Sequence, residues 1–221
     1  MPRQPRITLS GVAHHITQRG NYRQKVFDDH EDYLYYSELI TEYSKKHHLK
    51  ILAYCLMGNH IHFIVIPKTE DSLKEVFRTV HMRHAQHINR KRKAHGHLWQ
   101  GRYFSCLLDD KHLYRAMRYV ENNPVRAKMV KKAWNYPYSS AKQHLGSQQG
   151  VTIPLQNTKN MISPGKWREY LTDHDKEMTE EIRMKTQRGL AIGEGSFLNK
   201  IERQINRRLV YRSPGRPRKR K

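Results

Sequence analysis

The chain has 221 residues, with 42 Lys and Arg against 20 Asp and Glu, so the formal net charge is 42 − 20 = +22 with its 15 His counted neutral. Self-repulsion on that scale opposes compaction, and a polyanion is the natural counterweight. The charge argues against a neutral metabolic enzyme, and 13 Tyr, 5 Phe and 3 Trp argue against a wholly disordered chain. The length suits one ordinary domain with an appendage, or two small domains. No run of about 18 apolar residues is present, so no membrane span or membrane partner is expected. No apolar segment follows Met1-Pro2-Arg3-Gln4-Pro5-Arg6, which argues for a cytoplasmic, nucleoid-associated protein. Cys55 and Cys106 sit in apolar segments and read as buried small residues rather than a disulfide. No closely spaced Cys/His set suggests a zinc finger.

Taken in chain order, residues 12–17 form a short β-branched, His-containing strand, and Gly20-Asn21 marks a turn. Asp28 or Asp29 caps a helix running to about Lys46, on which Tyr33, Tyr36, Leu39, Ile40 and Tyr43 recur at steps of three and four. Residues 49–56 and 60–66 form a hairpin across Gly58-Asn59, ended by Pro67. Ser72, with Glu75 three residues on, reads as a capping box for a helix to about Arg92. Residues 98–108 hold a fourth strand broken near Gly101, and Asp109 or Asp110 opens a third helix that Pro124 ends or bends. The order β-α-β-β-α-β predicts an α+β fold: a ferredoxin-like antiparallel sheet with helices on one face and the other face open for a site.

The character changes after Ser140. Residues 1–142 read as the main domain and 143–211 as a linker with a small, mostly helical basic extension. Helical segments are expected over 167–171, 182–190 and 197–209. Residues 212–221 form a basic, Pro-rich tail. From Lys200 to Lys221 there are ten Lys and Arg against one Glu, a net +9.

The sharpest chemical feature is His60-Ile61-His62. Residues two apart on a strand share a face, so the two imidazoles project together and could hold one divalent cation. A solvated polar face is the plainer reading of the same spacing. Tyr119 and Asn123 lie one helical turn apart. A tyrosine reaching a metal-bound phosphate can act as a nucleophile, although in a chain with 13 Tyr an ordinary packed aromatic is the default. His81, His84 and His87 recur at three-residue steps and read as the polar face of their helix rather than a second metal site.

The two chemical features occur together with further blocks. His60-Ile61-His62 resembles the histidine–hydrophobic–histidine (HUH) motif of single-stranded DNA transposases and relaxases. Trp99-Gln100-Gly101-Arg102-Tyr103 and Tyr119-Val120-Glu121-Asn122-Asn123-Pro124-Val125-Arg126-Ala127 resemble blocks of the REP-associated tyrosine transposases, in the expected order. The resemblance covers about residues 11–140. It implies a single-tyrosine enzyme acting on single-stranded DNA hairpins of repetitive palindromic elements, with Tyr119 as nucleophile and a 5′-phosphotyrosine intermediate. It implies Mg²⁺ or Mn²⁺ on His60, His62 and Asn123, where relatives often carry Gln at the Asn position. It also allows a homodimer in which the tyrosine helix is supplied in trans, and it leaves open whether Tyr119 serves its own His pair.

Candidate DNA-binding residues are Arg3, Arg6, Arg19, Arg102, Arg126, Arg207, Arg208, Arg216 and Arg218. Those at 216 and 218 fall in a Gly-Arg-Pro segment that resembles an AT-hook core. Arg83, Arg90, Lys91, Arg92 and Lys93 are further basic candidates along the second helix. The competing class is a noncatalytic, domesticated hairpin DNA- or RNA-binding protein on a ferredoxin-like sheet, which predicts exposed aromatics on the central strands.

Overall fold

The computed structural model describes residues 6–147, 149–156, 163–173 and 176–209. Arg3, Arg216, Arg218 and the basic tail lie outside the described residues. The elements in order are β1 (Ala13–Arg19), α1 (His30–Lys46), β2 (Leu49–Met57), β3 (His60–Pro67), α2 (Ser72–Arg92), β4 (Phe104–Leu108), α3 (Asp110–Glu121), α4 (Asn123–Arg126), α5 (Ala141–His144), α6 (Pro164–Thr172), α7 (Lys176–Arg188), β5 (Ala191–Ile192) and α8 (Gly195–Ile205). The sheet order is β2-β3-β1-β4-β5. The first four strands are antiparallel neighbours, as the β-α-β-β-α-β order requires. The short β5 was not foreseen; it adds a parallel edge to β4.

The helix starts follow from their side chains. Asp29 caps α1 in a reciprocal box with Asp32, and Asp109 accepts a hydrogen bond from the His112 amide at 2.8 Å to open α3. The box expected at Ser72 and Glu75 is absent. Ser72 is already helical, its hydroxyl accepts from the Thr69 amide at 3.1 Å, and Glu75 pairs with Lys74 and Arg78. Strand β4 is shorter than expected, because the chain bends at Gly101 (φ 149°) after a single bridge between Trp99 and Gly20. A Cβ at Gly20 would collide with the Gln24 carbonyl oxygen, so the turn after β1 admits only glycine without rearrangement.

Alternation along the strands divides the core in two. Ile16, Ile61, Phe63 and Val65 pack with Tyr36, Ile40, Val76, Phe77 and Val80 of α1 and α2. The opposite face had been expected open. Instead Ala53, Cys55, Ile64, Cys106 and Leu108 are covered by Ala116, Met117 and Val120 of α3 and by Trp167, Met178 and Ile182 of α6 and α7. The cause is the amphipathic pattern of those later helices, which need an apolar surface of their own.

The histidine row of α2 is also not a polar face. His81 and His84 are buried, His81 Nε2 lies 3.1 Å from the Tyr36 hydroxyl, and His84 Nε2 donates to the Val26 carbonyl at 2.7 Å. His87 meets the buried Asp32 at 3.0 Å. Several basic residues offered for DNA serve this α1–α2 junction instead: Lys91 pairs with Asp29 and Asp32, Arg92 pairs with Asp28, and Arg83 donates to the Tyr43 hydroxyl. Burial works against the charge of Asp32, but amide donors, Lys91 and His87 outweigh it and hold the carboxyl at about 2.

The extension is stitched to the domain by a buried carboxylate. Glu121, at the end of α3, accepts from Ser140 Oγ at 2.5 Å, lies 2.6 Å from His144 Nδ1, and accepts from Trp167 Nε1 at 2.8 Å. Its replacement leaves His144 Nδ1 and Trp167 Nε1 buried without this partner, while Ser140 Oγ keeps the Tyr54 backbone. Glu121→Ala is expected to cost about 3–5 kcal/mol and to expose Trp167, measurable as a lower urea midpoint and a red-shifted tryptophan emission.

Candidate active site

Strand pairing builds the site floor. Arg19 faces His60 and Thr17 faces His62 across the β1–β3 ladder, so the alternate residues His15, Thr17 and Arg19 share a face with the His pair. Helix α3 crosses above and presents Tyr119. It ends at Glu121, breaks at Asn122, whose amide donates to the Leu171 carbonyl, and resumes as the single turn α4 with Pro124 near its start. That break sets Asn123 and Arg126 beside Tyr119. Helix α7 closes the opposite side with Thr179, Arg183, Thr186 and Gln187.

These residues line a cleft of about 750 Å³ together with Arg19, Arg23, Asn59, Gln100 and Phe104. A smaller hollow of about 360 Å³ continues past Tyr119 between α3 and α7. The His60 and His62 rings meet edge to face with centroids 5.0 Å apart. The Tyr119 ring meets His62 at 5.8 Å and His15 at 5.6 Å, both edge-on. The guanidinium of Arg126 sits 4.1 Å from the centre of the Tyr119 ring.

The donor set suits a cation with open positions. His60 Nδ1 lies 2.6 Å from Asn59 Oδ1, and an amide oxygen can only accept, so Nε2 is the unprotonated nitrogen of His60. His62 Nδ1 is taken by His15 Nε2 at 2.8 Å, which leaves its Nε2 for the cleft. The Asn123 amide nitrogen donates to the Tyr119 and Val120 carbonyls at 3.3 and 3.1 Å, leaving its oxygen as an acceptor. Among the described residues no group of three or more His, Cys, Asp or Glu side chains could hold a metal ion. A cation bound here would have two imidazoles and an amide oxygen from the chain, with oxygens from water or phosphate to complete it.

Burial keeps the imidazoles neutral. It pushes His60 down to about 4, helped by Arg19 and Arg126, and His15 down to about 3. His62 is held well below the usual histidine range by burial and then by His60, His15 and Arg126. Burial raises the Tyr119 phenol, while the positive charges of Arg126 and Arg183 oppose that rise.

Of the arginines read from sequence, Arg19 and Arg126 line the cleft, and Arg19 also donates to the Gln100 side chain at 2.9 Å. Arg102 lines an adjoining groove with Gln18, Gln100 and Gly101. Arg6 stacks on Tyr103, its guanidinium 3.8 Å from the ring centre. Arg207 and Arg208 follow α8, which packs on Leu9, Leu107 and Ala191, and neither is among the residues lining the cleft. Sequence reasoning missed His15, Thr179, Arg183, Thr186 and Gln187. His15 had a usable signal, since alternation puts it on one face with Thr17. The α7 residues had none, because their proximity arises only when the extension docks.

The geometry has counterparts among known proteins. A Haemophilus influenzae protein named as a REP-associated tyrosine transposase is 29% identical over 100 residues, a match covering 40% of this chain and 57% of that protein. The chain thus spans little more than half the length of that relative. A solved structure of a REP-associated tyrosine transposase bound to a REP hairpin shares the fold, with a TM-score of 0.58 at 18% identity, over 71% of this chain and 93% of the other. The IS200-like transposase family matches residues 8–123, just over half of the sequence, a span that takes in His60, His62, Tyr119 and Asn123. On that match, carried by a sheet and helices in the order the sequence required, the chain belongs to the IS200-like transposase family.

Proposed function

We propose that this transposase nicks and rejoins single-stranded DNA beside a hairpin, with Tyr119 as nucleophile. The observation that carries the reading is convergence. One cleft holds the Tyr119 ring against His62, two imidazoles and an amide that each keep an acceptor atom, and the cations of Arg19, Arg126 and Arg183. The fold relative bound to a REP hairpin supports a hairpin as the substrate class. The competing binding-module reading needs aromatic stacking platforms on the central strands. On β1 and β3 the cleft face carries His15, Thr17, Arg19, His60 and His62 instead.

Mg²⁺ or Mn²⁺ held by His60, His62 and Asn123 would supply Lewis-acid polarisation of the scissile phosphate. The chain's own residues do the rest. Arg126 and Arg183 bind the phosphate and oppose the burial that raises the Tyr119 phenol. The Tyr119 oxygen bonds to phosphorus, losing its proton to solvent. The bond from phosphorus to the 3′ oxygen breaks, and that oxygen takes up a proton as a free 3′-hydroxyl. The ester energy is kept in the 5′-phosphotyrosine, so reversal rejoins DNA without a nucleotide cofactor.

Wild-type protein incubated with a hairpin oligonucleotide and Mn²⁺ is expected to give a covalent adduct on a denaturing gel. His62→Ala is expected to lose the adduct while hairpin affinity stays nearly unchanged. Wild-type protein that binds hairpins yet forms no adduct with either metal would establish the noncatalytic reading instead.

A further inference from the structure

The cleft residues rest on a buried chain of hydrogen bonds that leads out of the catalytic face into the C-terminal extension. The His15 and His62 rings lie nearly coplanar and edge to edge, with planes 6° apart and centroids 5.0 Å apart, and His15 Nε2 lies 2.8 Å from His62 Nδ1. On its other side, His15 Nδ1 lies 2.8 Å from the Thr186 hydroxyl of α7. All three side chains are buried, at 1% exposure for His15, 6% for His62 and 1% for Thr186.

Histidines that bind a metal donate their other ring N–H to a partner, and for His62 as a ligand this selects the direction in which the Thr186 oxygen accepts from His15 Nδ1–H. His15 carries one proton when neutral, so its Nε2 must accept from His62 Nδ1–H. The last link leaves His62 with an unprotonated Nε2. Run the other way, the chain would put a proton on His62 Nε2 and block it as a ligand.

We infer that His15 and Thr186 are positioning residues that lock His62 in the Nδ1–H tautomer, so that the extension, through α7, sets the metal-binding competence of a histidine on β3. The inference rests on the reading of His62 as a metal ligand. It also gives the extension a part in the cleft beyond the nucleic-acid binding its charge suggests. A ligand histidine whose other nitrogen is held by a partner loses roughly 10–100-fold in metal affinity when that partner is removed.

The test uses the full chain with two readouts. Histidine nitrogen NMR of the metal-free protein is expected to show Nδ1–H tautomers for both His62 and His15. Mn²⁺ affinity, read by electron paramagnetic resonance of the free ion, is expected to fall at least about tenfold in Thr186→Val. Thr186→Ser, which keeps the hydroxyl, is expected to restore it. His15→Phe, which keeps an aromatic ring at the site but removes the acceptor, is expected to lose affinity as Thr186→Val does. An Nε2–H tautomer of His62 in the wild type would overturn the inference even if a variant failed to fold. So would wild-type Mn²⁺ affinity in folded Thr186→Val. If His62→Ala also binds Mn²⁺ like the wild type, the metal-ligand reading itself fails. If His62→Ala loses Mn²⁺ and Thr186→Val does not, only the positioning role fails.

Discussion

Tyr119→Phe is expected to abolish the covalent DNA adduct and to slow strand cleavage by at least about 10⁴-fold, because no other group supplies the attacking oxygen. The substitution removes one hydroxyl and keeps the ring. The edge-on contacts with His62 and His15 and the cation over the ring need only the aromatic face and edge. Folding and hairpin affinity are therefore expected to match the wild type. The measurement is a labelled hairpin on a denaturing gel, beside a gel shift under native conditions. An adduct of undiminished yield in Tyr119→Phe would show that another residue attacks. Loss of hairpin binding along with the adduct would show that Tyr119 acts in docking rather than chemistry.

Acidification is expected to unfold the protein well above the carboxylate range. Burial pushes His14 and His84 down to about 4 and His81 to about 3. These imidazoles are neutral in the folded chain and take up protons near 6.5 when it unfolds. The sign follows: their contribution is fully present above pH about 6.5 and is lost as pH falls from there toward 4 and 3. Each is worth a few kcal/mol, against a total domain stability of about 5–15 kcal/mol. The slope is about 1.4 kcal/mol per pH unit for each histidine. Asp32, held at about 2, keeps its contribution until pH falls below about 4 and so cannot cause the early loss. His144 works on the alkaline side. Burial opposes its charge but Glu121 outweighs burial and raises it, so its contribution fades as pH rises above its ordinary value. Urea midpoints measured from pH about 7.5 down to about 5 are expected to fall steeply. A flat profile over that range would show that the three imidazoles are hydrated rather than buried.

The same histidines show where sequence reasoning stopped. Their three-residue spacing on α2 was legible, but spacing gives a stripe and not what covers it. The α1–α2 junction buries His81 and His84 because Tyr36 and the Val26 carbonyl are there to receive their nitrogens. The basic residues of α2 carry a similar lesson. Lys91 and Arg92 count toward the net charge of +22 yet are spent on Asp29, Asp32 and Asp28 within the fold. By contrast, the strand period placed His60 and His62 on one face and one helical turn joined Tyr119 to Asn123, but it was the resemblance of their motif blocks that singled them out.

The sequence by itself determined the order of the first six elements and their antiparallel sheet, because strand alternation, helix periodicity and capping are local properties, while the four side chains offered to the cleft stood out only through the resemblance of their motif blocks to a known family. Its charge excess made a polyanion the partner to expect. Tertiary structure alone decided that the second sheet face is roofed by α3, α6 and α7, which of the arginines reach the cleft, and that His15 and Thr186 stand behind His62. Those outcomes depend on contacts between residues as far apart as 15 and 186. Such contacts exist only after the extension has packed its apolar side onto the sheet.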